Sequence, residues 1–219
     1  MTTKLVDYLL ARDEWPARSG LVSDYVLGKT GLFLVTQNEH VDVRLRIARC
    51  LVRGLADIHG GWRLKTPRLP AYIWEQMMGV VEQAALDGNE VMMAVTVNGA
   101  GEFDVVIPLQ EAGPAHVKVL EPVPGAILEL HSHCRFGAYF SPTDDTDEQG
   151  LRLYGVVGRV TGDAPEVVLR LGAWGYYHPI FWDEVFEGSP GRYRDVHRDV
   201  QAALVELEEV AVGIHAGNE

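Results

Sequence analysis

The spacing of apolar and polar positions changes period several times along the chain, and each change marks an element. Val41, Val43, Leu45 and Ile47 alternate with Asp42, Arg44 and Arg46, the period of a strand with one wet face. Upstream, residues 24–27 and 32–36 flank Gly28-Lys29-Thr30-Gly31, the composition of a hairpin turn. Leu5 to Ala11 reads as a short helix, closed by Trp15-Pro16. Gly54, Gly60, Gly61, Pro67 and Pro70 read as a linker that ends a β-rich N-terminal subdomain.

The period then turns helical. Pro70 reads as a helix start, and Ile73, Met77, Val80, Val81, Ala84 and Ala85 recur on one face. Asp87-Gly88 closes that helix, since glycine takes the left-handed C-cap conformation readily. Strands are predicted over 90–97, 102–108, 116–120 and 126–133, with a turn at Asn98-Gly99-Ala100-Gly101. After an acidic segment at 141–149, strands resume at 151–160 and 166–171 around a Gly162-Asp163 turn. An aromatic run follows from Trp174 to Trp182 and reads as a packed edge or a binding surface. A last helix is predicted over 193–212, with Val196, Val200, Leu204, Leu207 and Ala211 on one face. The fold class is mixed α/β (α+β), mostly antiparallel sheet flanked by helices. Residues 1–70 form a small β-rich subdomain and 71–219 the main domain.

Composition narrows the partners. Hydrophobic residues make up 47% and charged residues 23%, the balance of a globular chain. Nineteen basic against thirty-one acidic residues give −12, which repels phosphate backbones and disfavours nucleic acid. Two cysteines, Cys50 and Cys134, cannot make a disulfide framework and fit a reducing compartment. The N-terminus lacks a signal pattern, and no apolar run nears the roughly 20 residues of a membrane span. The expectation is a cytoplasmic protein with no membrane partner.

The chemistry concentrates between Glu129 and Asp144. On a strand, His131 and His133 point to the same face, about 6.5–7 Å apart at the backbone. Such a pair suits zinc, bound through nitrogen at roughly 2.0–2.1 Å, and Asp144 is a carboxylate suited to a third position. Two histidines, a carboxylate and a place for water make a catalytic rather than a structural site. Ser141-Pro142-Thr143-Asp144 also has a structural explanation: serine at the N-cap, proline next and an acid at the third helical position start a helix. The two readings are compatible, because a capped helix aims Asp144 rigidly.

His-Ser-His, then serine eight residues on and aspartate three further, resembles the JAMM motif of the JAB/MPN zinc metalloproteases, bacterial branch. The resemblance covers about residues 71–185 and implies a cytidine-deaminase-like core. It implies that His131, His133 and Asp144 bind Zn2+, and that Ser141 supports the oxyanion of a tetrahedral intermediate. It further calls for a glutamate at the start of a strand directly after a helix. Glu90 holds that place, 41 residues before His131, and would be the general base. Glu75, Glu82 and Glu102 suit it less well. The family usually has proline after the second histidine; this chain has Cys134, which strand alternation would turn to the opposite face as packing. His178 belongs to the aromatic run, and the other histidines, His40, His59, His116, His197 and His215, read as structural or exposed. Residues 1–70 look similar to the leader of a plasmid-associated bacterial subgroup of the family.

The function implied is zinc-dependent hydrolysis of a peptide or isopeptide bond in a protein or peptide substrate, ubiquitin-like by analogy. Two other classes stay open: a non-catalytic MPN scaffold that binds proteins, and a zinc hydrolase acting on a small molecule or a sulfur-carrier C-terminus.

Overall fold

The computed structural model describes residues 4–204. The chain divides into two units. The first takes the chain up to Pro67 together with Gln149–Arg152 and Gly172–His178, and the second takes the rest.

The first unit is built on five strands: β1 (Val6–Leu10), β2 (Ser23–Gly28), β3 (Gly31–Gln37), β4 (Val41–Arg49) and β5 (Gly61–Leu64), paired in that order. The β2–β3 hairpin falls at the predicted turn, and Gly31 is needed there. A Cβ on it would lie 2.3 Å from the Ala48 carbonyl oxygen of the neighbouring strand. Val26, Phe33 and Val35 bury one face of the sheet with Ala11 and Ile58, and the Trp15 ring meets Phe33 edge-on.

Two expectations fail in this unit. Residues 6–10 form β1, parallel to β2, and not a helix. Leu5, Val6, Leu9 and Leu10 fit helical spacing, but so short a helix is marginal alone, and the open edge of β2 offers backbone partners. The supposed linker contains β5, which pairs with β4 from Val41↔Leu64 to Arg44↔Gly61. Gly60 signals a close approach rather than slack, since a Cβ there would sit 2.5 Å from the Arg44 carbonyl oxygen.

In the remaining chain, α1 (Ala71–Leu86) starts after Pro70 and ends at Asp87, with Gly88 at φ +76°. It buries Ile73, Trp74, Met77, Met78, Val81 and Ala85. Then come β6 (Met92–Val97), β7 (Phe103–Val106), β8 (Gln110–Gly113), β9 (His116–Val119) and β10 (Leu128–Ser132). These are followed by α2 (Pro142–Asp147), β11 (Arg152–Gly158), β12 (Glu166–Ala173), β13 (Tyr176–Ile180), α3 (Trp182–Val185) and β14 (Arg194–Asp195). The large sheet runs β13-β12-β11-β10-β6-β7; β9 matches the strand predicted over 116–120 and pairs as a separate hairpin with β8, which the sequence pattern did not predict. Within the aromatic run, Trp182 is packed: with Phe186 and Tyr193 it surrounds the Trp74 ring at 5.1–5.7 Å between centroids.

The chain is therefore mixed α/β, mostly sheet with a few helices. Among the described residues no helix is long and apolar enough to cross a membrane. The last helix starts at residue 196 rather than 193, because 194–195 pair as β14, and it is described to residue 204; Leu207, Ala211 and His215 lie outside the described residues.

One tight contact has a measurable consequence. A Cβ on Gly158, the last residue of β11, would lie 2.2 Å from the Ala138 nitrogen and 2.3 Å from the Gly137 carbonyl carbon. These are backbone atoms and cannot turn aside. Gly158→Ala should therefore lower stability by about 1–3 kcal/mol, measured by urea unfolding. An unchanged midpoint would mean that the 136–138 loop shifts freely.

Candidate metal centre

β10 lies between β11 and β6 in the large sheet, bonded to both. Leu128 and Leu130 on one face are fully buried, which turns Glu129 and His131 to the other. The strand ends at Ser132, one residue earlier than its pattern suggested. His133 nevertheless keeps its place, because its backbone N–H still donates to the Val157 carbonyl of β11 at 2.7 Å.

The two imidazoles converge. His131 Nε2 and His133 Nε2 are 3.3 Å apart, and both residues are more than nine-tenths buried. His133 Nδ1 lies 3.0 Å from the Gly137 carbonyl oxygen, which can only accept. His133 therefore carries a proton on Nδ1, and its neutral tautomer turns a lone pair on Nε2 toward His131. Burial lowers the pKa of His131 to about 4 against the pull of Asp144, so its ring is neutral near pH 7, the form that ligates a metal.

Asp144 reaches the pair from α2. Ser141 is the N-cap of that helix, and its hydroxyl accepts from the Asp144 N–H at 3.3 Å. In return Asp144 Oδ2 accepts from the Ser141 N–H at 2.5 Å, which completes a capping box. With one oxygen held, the other, Oδ1, lies 3.7 Å from His131 Nε2.

Ligand atoms of His131, Asp144 and Glu148 all fall within 4.8 Å of one another, so this buried group could hold a metal ion. Two nitrogens at 2.0–2.1 Å from a tetrahedral zinc stand about 3.3–3.4 Å apart, which the histidine pair already matches. The donor set of nitrogen and carboxylate oxygen suits zinc chemically.

Glu148 escaped the sequence reading, although a signal existed. It lies four residues after Asp144, and its N–H donates to the Asp144 carbonyl at 2.8 Å, so both acids share one helix face. Arg170 of β12, itself buried, donates to Glu148 through Nε and a terminal nitrogen at 2.9 and 2.7 Å. Its other terminal nitrogen bonds Asp145 at 2.5 Å, and its guanidinium carbon lies over the Phe140 ring, 3.8 Å from the centroid. Burial still pushes the Glu148 carboxyl up to about 8 despite Arg170, with the negative charges of Asp144 and Glu129 adding to the shift. Nothing in sequence spacing links Arg170 to α2.

Glu90 sits two residues before β6, not within it, and is 5% exposed. Burial raises its pKa, His133 and His116 lower it, and Asp144 raises it again. Its carboxyl thus lies within electrostatic reach of His133, His116 and Asp144. Ser132 fixes the chain beside it, its N–H donating to the Val91 carbonyl at 2.9 Å and its hydroxyl accepting the Val91 N–H at 3.0 Å. Glu75, Glu82 and Glu102 are exposed; Glu82 pairs with Arg192, and Glu102 bonds Asn98.

The alternation argument for Cys134 does not apply, because the strand has ended. Its buried Sγ donates to the Asn89 carbonyl at 2.8 Å. Burial and then the charge of Glu90 push the thiol pKa up, which disfavours the thiolate that a metal needs.

No family model matches the chain, and no curated protein matches it either.

The lowered His131 pKa ties stability to pH. Between about 4 and the ordinary 6.5, the unfolded chain binds a proton here that the folded chain does not. Stability should therefore fall as pH drops through that window. In urea unfolding of metal-free protein, the advantage of wild type over His131→Gln should shrink as pH falls from about 7 to about 4.5. A constant difference would show an imidazole that titrates as in solution.

Proposed function

We propose that the chain is a zinc-dependent hydrolase of the JAB/MPN type, with a cytidine-deaminase-like core within a domain of residues 71–219. In this reading it acts in the cytoplasm on a peptide or isopeptide bond of a protein or peptide substrate, ubiquitin-like by analogy. The leader residues favour the bacterial PRTRC system A group. The observation that carries the reading is the convergence of His131 Nε2 and His133 Nε2 at 3.3 Å beside a carboxylate aimed by its own capping box.

His131, His133 and Asp144 would hold the zinc. When bound, zinc lowers the pKa of water toward about 7 and polarises a carbonyl. The rest falls to the protein's residues. Glu90, desolvated and with its pKa raised, suits a base that takes a proton from the attacking water and returns it to the leaving nitrogen. Ser141 uses its oxygen to accept from Asp144 N–H, which leaves its O–H to donate to a developing oxyanion. Arg170 balances the acids of α2, so that the carboxylates near the histidines do not all repel one another.

Glu148 favours a second reading. A fourth protein ligand beside His131 and Asp144 would close the site and make it structural, as in a protein-binding scaffold.

Mutation separates these roles. Purified protein should carry about one zinc per chain, lost largely on His131→Ala or His133→Ala. Glu90→Gln should keep zinc and fold, while cleavage in a screen of ubiquitin-like fusions and small amides falls roughly 10²–10⁴-fold. Zinc that survives both histidine changes would end the ligand assignment, and wild-type cleavage by Glu90→Gln would end the base assignment. Glu148→Gln decides between open and closed sites: retained zinc and cleavage fit the hydrolase, whereas lost zinc with an inactive wild type fits the scaffold.

A further inference from the structure

Glu166, at the start of β12, belongs to none of the motif positions, yet it is 8% exposed and satisfied on both oxygens. Oε1 accepts from Arg194 at 3.0 Å and forms an ion pair with Arg159 Nε at 3.1 Å. Oε2 accepts from the backbone N–H of Ala138 at 3.1 Å. The carbonyl of the same peptide group, that of Gly137, accepts from His133 Nδ1 at 3.0 Å.

One planar unit therefore carries both bonds. In a trans peptide the N–H and C=O point in opposite directions and turn together. Holding the Ala138 N–H on a carboxylate aims the Gly137 oxygen at the imidazole. The charge adds to the geometry, because an anion bonded to the N–H polarises the peptide and strengthens its oxygen as an acceptor. Gly137 makes the approach fit, since a Cβ there would lie 3.1 Å from Glu166 Oε2. Arg159 braces the same loop. It has φ +51°, unusual for a residue with a side chain, and its N–H donates to the Phe136 carbonyl at 2.6 Å.

We infer that Glu166 is a positioning residue, which sets the tautomer and aim of His133 through the Gly137–Ala138 peptide group. The usual partner of a metal-binding histidine is a carboxylate or a carbonyl in direct contact. Here a carboxylate acts one peptide group further out. The inference deepens the metal-centre reading and rests on it only for the effect on zinc; the tautomer effect needs no metal.

The experiment compares wild type, Glu166→Gln and Gly137→Ala. Nitrogen NMR of the metal-free protein reads the His133 tautomer, and zinc titration against a chelator reads affinity. Wild type should show His133 protonated on Nδ1 alone. Both variants should show a mixture with the Nε2–H form and a zinc affinity lowered roughly 10-fold, the lower end for an outer partner of a ligand. Gly137→Ala displaces the carboxylate without removing it from its arginines, so it decides the question if Glu166→Gln fails to fold. Should the variants keep a single Nδ1–H tautomer and wild-type zinc affinity, the inference is overturned. A wild type that binds no zinc overturns the proposed function instead, and the tautomer comparison still judges Glu166.

Discussion

β10 is paired on both edges, antiparallel to β6 and parallel to β11, and the site depends on that double pairing. A strand whose N–H and C=O groups are satisfied on both sides has one register. A slip of one residue would turn His131 inward and Leu130 outward. Where the ladder stops, Ser132 takes over: its N–H and its hydroxyl both bond Val91, closing the end of β10 onto the residue after Glu90. The imidazoles and the proposed base are thus referred to one another by backbone hydrogen bonds, which keep their lengths better than packed side chains do.

Around this anchor, each polar group is aimed by holding its other end. Asp144 has one oxygen on the Ser141 N–H and the other beside His131. His133 has Nδ1 on a carbonyl and Nε2 toward its partner. The serine that caps α2 is also the residue proposed to support the oxyanion, so one residue joins helix initiation to chemistry. Such sharing restricts substitution: replacing Ser141 would free the Asp144 carboxylate as well as removing a hydroxyl. Electrostatically the site is a group of acids partly offset by Arg170, beside a His131 ring that burial keeps neutral. A divalent cation would remove repulsion there that Arg170 offsets only in part.

Much of this was legible along the chain, for local reasons. A capping box involves residues three apart, and a tight hairpin needs its glycines, so Ser141–Asp144 and the β2–β3 turn can be read without a fold. The α1 stripe and the alternation in β4 report a single buried face. His131 and His133 stand two apart, a spacing that a strand turns to one side, and the His133 N–H bond to Val157 carries it one residue past the end of β10. The errors came where local pattern was ambiguous or silent. Residues 6–10 fit two periods, and pairing with β2 chose between them. β5 lies in a stretch that reads as a glycine-rich linker, because a short edge strand carries little apolar pattern of its own.

The residue types that can ligate, cap and alternate are written in the sequence, because those properties depend on neighbours within about one helical turn. Which distant groups meet them was decided only by the tertiary structure. Arg170 reaches Glu148 across 22 residues, Ser132 reaches Val91 across 41, and Glu166 reaches Ala138 across 28. Each of these contacts joins segments that lie far apart along the chain. Hydrogen bonds of this kind leave no periodic trace, since one polar side chain among several looks the same along the sequence whether it faces water or a buried partner. Burial tells them apart, and burial is a property of the packed sheet.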